Sequence, residues 1–90
     1  MPSVRWDDAA TAEVDAIVDY VLLHNPAAAF RLARRLRAAG DSLEQFPRRA
    51  PATQDGLRQY SIVYPYLIRY RVEDDIVTIL SVRHGARHES

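Results

Sequence analysis

Around residues 48–56, RRAPATQDG, the apolar residues of this 90-residue chain stop recurring with a helical period and begin to alternate. That switch constrains the fold more than any other feature, because a stripe repeating every 3.6 residues and one repeating every two residues cannot belong to the same element. Before it, Val14, Ile17, Val18, Val21 and Leu22 mark the buried side of one helix, opened by Asp7 or Asp8 as an N-cap and closed at His24-Asn25-Pro26. Asn25 and Pro26 also suit the N-cap and first turn of a second helix, so a tight corner is predicted there. In that second helix Ala29, Leu32, Ala33, Leu36, Leu43 and Phe46 form the predicted stripe, Gly40 implies a close helix approach or a bend, and Pro47 ends the element.

Residues 48–56 hold two prolines and several turn formers and read as a surface loop. Beyond them, 57–64, 66–73 and 76–83 are rich in β-branched and aromatic residues and are separated by Tyr64-Pro65 and Asp74-Asp75. With a short β-compatible run at 3–6, the predicted class is α+β: a short N-terminal strand, a helical hairpin, then a three-stranded antiparallel sheet, in one domain spanning 1–90. If both turns are two-residue loops, Glu73 faces Ile76 and Val63 faces Tyr66. Leu57, Val63, Ile68, Tyr70, Val72, Val77 and Ile79 then turn toward the helices. Arg58, Tyr60, Ile62, Leu67, Arg69, Arg71, Leu80, Val82 and His84 fall on the opposite face. Neighbouring arginines repel unless an anion lies over them, so this face is expected to meet a carboxylate-bearing or phosphate-bearing partner. A slip of one residue would exchange the two faces.

The charges balance at twelve acids and twelve bases, so no polyanionic partner is implied by net charge. All twelve bases are arginine, which fits carboxylate and phosphate recognition but also a base-composition bias in the genome. The absence of cysteine excludes disulfides and thiolate metal sites and is compatible with the cytoplasm. MPSVRWDDAA has no apolar run of signal-peptide length, and Ile17 to Leu23 is broken by Asp19 and Tyr20, so neither export nor a membrane span is expected. His84 and His88 have the spacing of a helical metal pair, but Gly85 and the lack of an apolar period argue against a helix, and no metal or cofactor is expected. His84 between Arg83 and Arg87 could serve as an acid or base beside a phosphate.

The order of elements and several stretches resemble one family. WDDAA opens the first helix, NPAAA joins the two, LEQFPR closes the second, and LRQYSIVYPYLIRYRVEDDIVTILSVRHGAR ends the chain. Together they resemble the ParE/RelE superfamily of small bacterial toxins over nearly the whole length, with YLIRYRVEDDIVTILSVRHGAR closest to the ParE branch. The resemblance implies the toxin of a type II toxin–antitoxin module, of the kind linked to plasmid stabilisation, neutralised by a cognate, ParD-like antitoxin. ParE-like members poison DNA gyrase by binding and are not enzymes, whereas RelE-like members cut mRNA on the ribosome. Fold alone does not separate the branches.

In the ribonucleases of the superfamily, basic groups on the second strand, an arginine near the start of the third, and basic plus tyrosine or histidine groups after the last strand surround the scissile phosphate. Arg58 fits the first of these positions here, but the next is Tyr60, the third-strand position is Leu67, and no tyrosine follows Tyr70. The incomplete set favours a ParE-like inhibitor of gyrase with no direct DNA binding by the chain alone. Arg58, Tyr60, Arg69, Arg71, His84 and Arg87 are then the expected partner- or target-binding residues. The alternative is a RelE-like ribonuclease using Arg58, Arg83 and His84, and a third reading is a non-toxic protein kept as a subunit of a complex.

Overall fold

Asn25 and Pro26 shape the helical corner as their chemistry dictates. The Asn25 side chain accepts a hydrogen bond from the Ala28 N–H at 3.1 Å, and Pro26 occupies the first helical position. In the computed structural model, which describes residues 2–85, the elements are β1 (Ser3–Trp6), α1 (Asp8–Leu22), α2 (Pro26–Asp41), β2 (Arg58–Tyr60), β3 (Tyr66–Glu73) and β4 (Ile76–His84), with a 3₁₀ turn at Ser42–Glu44 after α2. Asp7 sits at the α1 N-cap, where its carbonyl rather than its side chain accepts from Thr11 N–H. The second helix is shorter than its apolar stripe suggested. It gives way to the 3₁₀ turn at Ser42, and Leu43 remains in the core while Phe46 is exposed. Leu22, placed in the α1 stripe, is also exposed.

The strands form one four-stranded sheet in the order β1-β4-β3-β2. β1 lies parallel to β4, and the other pairs are antiparallel. The N-terminal strand thereby joins the sheet beside the last one, with Val4 against Val77 and Trp6 against Ile79. The helices cover the face that carries those four residues. Ala10, Val14, Leu36, Ala39 and Leu43 meet Ile68, Tyr70, Val77, Ile79 and Val82 in one buried cluster. Each wholly buried Leu or Ile there contributes about 1.5–3 kcal/mol. Tyr70 is buried to the ring, and its hydroxyl reaches the Pro47 carbonyl at 2.7 Å. Burial pushes its phenol up from the ordinary value. No helix among the described residues is long and apolar enough to cross a membrane.

Two local features change which side chains share a face. The Asp74-Asp75 turn closes β3 and β4 as expected, with Glu73 facing Ile76 and Asp74 at φ 55°. The connection between β2 and β3 is instead five residues long, 61–65, closed by Tyr66 N–H donating to the Val63 carbonyl at 2.8 Å. Tyr60 therefore pairs with Ile68 and Arg58 with Tyr70, one residue out of the predicted alignment. Residues directly opposite one another point to the same side of a sheet. Arg58 and Tyr60 consequently lie on the face of Ile68 and Tyr70, not with Arg69 and Arg71. The predicted single surface holding all four is wrong.

The second feature is a β-bulge in β4. Arg69 pairs with Ser81 and Tyr70 with Ile79, leaving Leu80 as the extra residue. From there on the parity of β4 is reversed. Val82 faces Ile68 and is buried, and His84 faces Tyr66, so both lie on the helix side instead of the predicted outer face.

Gly40 explains how closely α2 approaches the sheet. A Cβ at this position would lie 2.4 Å from the Trp6 ring and 2.7 Å from the Ile79 side chain. The close approach inferred from the glycine is real, but it is to β1 and β4 and not to another helix. Gly40→Ala gains about 1 kcal/mol of helix propensity and loses about 1–3 kcal/mol to overpacking against a rigid indole. Urea denaturation is expected to give a net loss of stability, and a midpoint equal to or above that of the unaltered chain would contradict this packing.

Candidate functional surface

The helix-side arginine, Arg58, is tied into the fold. Its Nη1 donates to the Ala50 carbonyl at 2.6 Å and to the Arg48 carbonyl at 3.4 Å, pinning the segment that follows α2. Ala52 bridges to Arg58 and Gln59 N–H donates to the Pro51 carbonyl, so the same segment covers the β2 edge. Tyr60 is half-buried against the core, and the Arg49 guanidinium lies 5.2 Å from its ring centre. These contacts give both residues a structural task.

Among the described residues no helix covers the opposite face of the sheet. It carries Gln59 on β2, Leu67, Arg69 and Arg71 on β3, Thr78, Ser81 and Arg83 on β4, and Arg5 on β1. Leu67 stands directly opposite Arg83. Three of the arginines meet acids of their own chain: Arg69 Nη2 lies 2.7 Å from Asp55, Arg71 Nε 3.3 Å from Glu73, and Arg83 Nε 3.5 Å from Glu13. The sequence reading missed Arg5, whose place on this face follows only from the parallel pairing with Thr78.

Asp55 sits in a tight turn closed by Thr53 N–H donating to the Leu57 carbonyl at 2.7 Å, with Gly56 at φ 84°. Its carboxylate accepts from the Thr53 hydroxyl and from Leu57 N–H. The Thr53 bond first, then the Leu57 bond and the Arg69 charge, hold the carboxyl below its ordinary value of 3.8. The Arg69 Nε is buried without a hydrogen-bond partner, so the guanidinium is engaged on one side only.

At the far end of the sheet the His84 and Tyr66 rings meet edge to face at 5.4 Å. Together with Ala16, Ile17, Tyr20 and Val21 of α1 they line a groove of about 460 Å³. Gly85 N–H donates to the Pro65 carbonyl at 2.7 Å and sets the direction in which the chain leaves β4. Arg87 and His88 lie outside the described residues.

These positions do not assemble a phosphate-cleaving set. Arg58 and His84 share a face, but by strand geometry their Cα atoms are about 16 Å apart, four residues along and two strands across. Arg83 points to the other side of the sheet and is engaged by Glu13. Glu13 is a second residue that the sequence reading left out. One of its oxygens accepts from Val82 N–H at 2.8 Å while the other faces Arg83, which joins α1 to β4 beyond the end of β1. Among the described residues no three His, Cys, Asp or Glu side chains gather as metal ligands. The arrangement can present guanidinium groups to an anionic partner, and among the described residues no nucleophile, base and phosphate clamp converge.

The fold, a helical hairpin packed on one face of a four-stranded sheet, is similar to that of a solved structure described as the chromosomal ParDE TA system from P. aeruginosa. The likeness has a TM-score of 0.83 at 22% identity and covers 93% of this chain and 96% of that one. In sequence, residues 4–89 match the family described as ParE toxin of type II toxin-antitoxin system, parDE. Toxin RelE2 of Caulobacter vibrioides is 44% identical over 87 residues, covering 97% of this chain and 99% of that protein. The chain belongs to the ParE toxin family.

The Asp55 turn gives the surface an acid dependence. A carboxyl held below its ordinary value in the folded chain contributes stability that is fully present above about pH 4 and is lost as pH falls through the folded value. Asp55→Asn removes that contribution. Thermal melts from about pH 5 to pH 2 are expected to show a shallower acid decline for the variant, and parallel declines would remove Asp55 from this role.

Proposed function

We propose that the chain is the toxin of a type II toxin–antitoxin pair, that it acts in the cytoplasm by binding DNA gyrase, and that a cognate antitoxin neutralises it. The observation that carries this reading is the separation of Arg58, Arg83 and His84, the three residues a ribonuclease mechanism would need. Cleavage of a phosphodiester by the adjacent 2′-hydroxyl builds charge on the phosphoryl oxygens, and that charge must be met by several donors converging on one point. Arg58 is committed to backbone carbonyls, and Arg83 points to the other face of the sheet. Leu67 adds no charge beside Arg83. Membership of the ParE family supports the gyrase branch, while the RelE2 name of a 44% identical relative keeps mRNA cleavage as the second reading.

Inhibition by binding needs a surface and not a catalytic set. Arg69 and Arg71 on the open sheet face, with His84 at the end of β4, are the described residues that this reading gives to target or antitoxin contact.

Expression without a partner should stop growth and induce an SOS response with broken DNA while bulk mRNA stays intact. Purified chain should inhibit supercoiling by gyrase and leave ribosome-bound mRNA uncut. Codon-specific mRNA cleavage as the earliest event would overturn the reading in favour of the ribonuclease. In that case His84→Ala is expected to lower cleavage at least about tenfold without unfolding the domain.

A further inference from the structure

We propose that the bare face of the sheet is a docking surface for an extended acidic segment of a partner protein, seated across Arg5, Arg71 and Arg69. The proposal rests on the reading that the chain has a protein antagonist, and it names the chemistry by which that antagonist is held.

Arg71 and Arg5 flank Thr78 from either side, the first across the β3–β4 pair and the second across the β4–β1 pair. Two strand spacings put their Cα atoms about 10 Å apart, and Arg69 lies about 7 Å from Arg71 along β3. Like charges set this way on one face repel. The acids the chain supplies are weak relief. Glu73 and Asp55, the partners of Arg71 and Arg69, are 72% and 52% exposed, and an exposed pair contributes little in water. Arg5 is exposed and forms no ion pair among the described residues. Thr78 stands between Arg71 and Arg5, and Ser81 and Gln59 flank Arg69, as hydroxyl and amide groups able to meet a peptide backbone.

The surface favours a polypeptide over a nucleic acid. No aromatic residue of the four strands stands on this face, so the strands offer no platform on which bases could stack. Arg69 and Arg71, about 7 Å apart along β3, suit carboxylates carried on alternate residues of an extended strand, and Arg5 lies about 10 Å to the side, across β4. Arg5 and Arg71, the exposed pair, can each grip a carboxylate with two parallel N–H bonds, while Arg69, with Nη2 on Asp55 and Nε buried, adds charge and its remaining donor.

The test uses the whole chain with two labelled probes, a hexaglutamate peptide and a mixed-sequence DNA duplex of about 20 base pairs. Fluorescence anisotropy is read at about 50 mM and 300 mM salt, across which surface charge interactions are progressively screened. The peptide is expected to bind at low salt and to weaken at high salt. Arg5→Glu with Arg71→Glu should lower its affinity at least about tenfold. Arg34→Glu with Arg35→Glu, a change of equal charge on α2, should alter it less than about twofold. Circular dichroism checks folding, and Arg5→Gln with Arg71→Gln replaces the reversal if the glutamate pair does not fold. Equal losses in the sheet and helix variants, tighter binding of the duplex, or no binding of the peptide at low salt would each overturn the proposal. Supercoiling assays on the same preparations keep the two readings apart, because failure to inhibit gyrase with peptide binding intact sinks the target and leaves the surface standing.

Discussion

The contact between the backbone of α2 at Gly40 and the indole of Trp6 sets the position of everything above the sheet. Trp6 is gripped on three sides. Gly40 gives the ring room, the Asp41 carboxylate accepts from its Nε1 at 3.1 Å, and the Arg37 guanidinium lies 5.0 Å from its centre. Because Trp6 belongs to β1 and pairs with Ile79 of β4, the same contact locks the hairpin to the two strands that are most distant in sequence. With both helices committed to one side, the other side of the sheet is left open, and its side chains are available to a partner.

Which residues stand on that open side is decided by two small irregularities. The five-residue connection at 61–65 and the extra residue Leu80 each move part of a strand by one position, and one position is enough to exchange faces. Arg58 and Tyr60 become part of the support for the 48–52 segment, while Arg69 and Arg71 remain outward. Arginines that look equivalent in the sequence thus have different work. Arg58 satisfies backbone carbonyls that have no other acceptor role in a ladder, and Arg69 faces the solvent side with one of its donors unused.

The helical half was legible because its signals are local. Asn25-Pro26, the 3.6-residue stripe through Val14 and Val18, and the glycine at 40 each act within a turn or two of chain. The Asp74-Asp75 hairpin was legible for the same reason. The outer ends of the sheet were not. In SIVYPYLIRY both parities present apolar side chains, so either alignment buries hydrophobic surface and alternation cannot choose between them. The Leu80 bulge has no composition of its own, since ILSVRH reads as an unbroken strand. Arg5 and Glu13 acquired their places through pairings across more than sixty residues of sequence, Arg5 with Thr78 and Glu13 with Val82, and no local pattern encodes such a partner. Family resemblance identified the fold and the kind of protein, and it did not reveal which arginines support the chain and which are offered to others.

Glu13 has one more effect. β1 ends at Trp6, so the upper half of β4 has no neighbouring strand on that side, and an unpaired strand edge invites another chain to zip onto it. The Glu13 carboxylate already holds Val82 N–H there, and an incoming backbone carbonyl would have to evict a charged acceptor and then lie beside its negative charge. A helix side chain thereby guards the chain against growing into ribbons of its own copies.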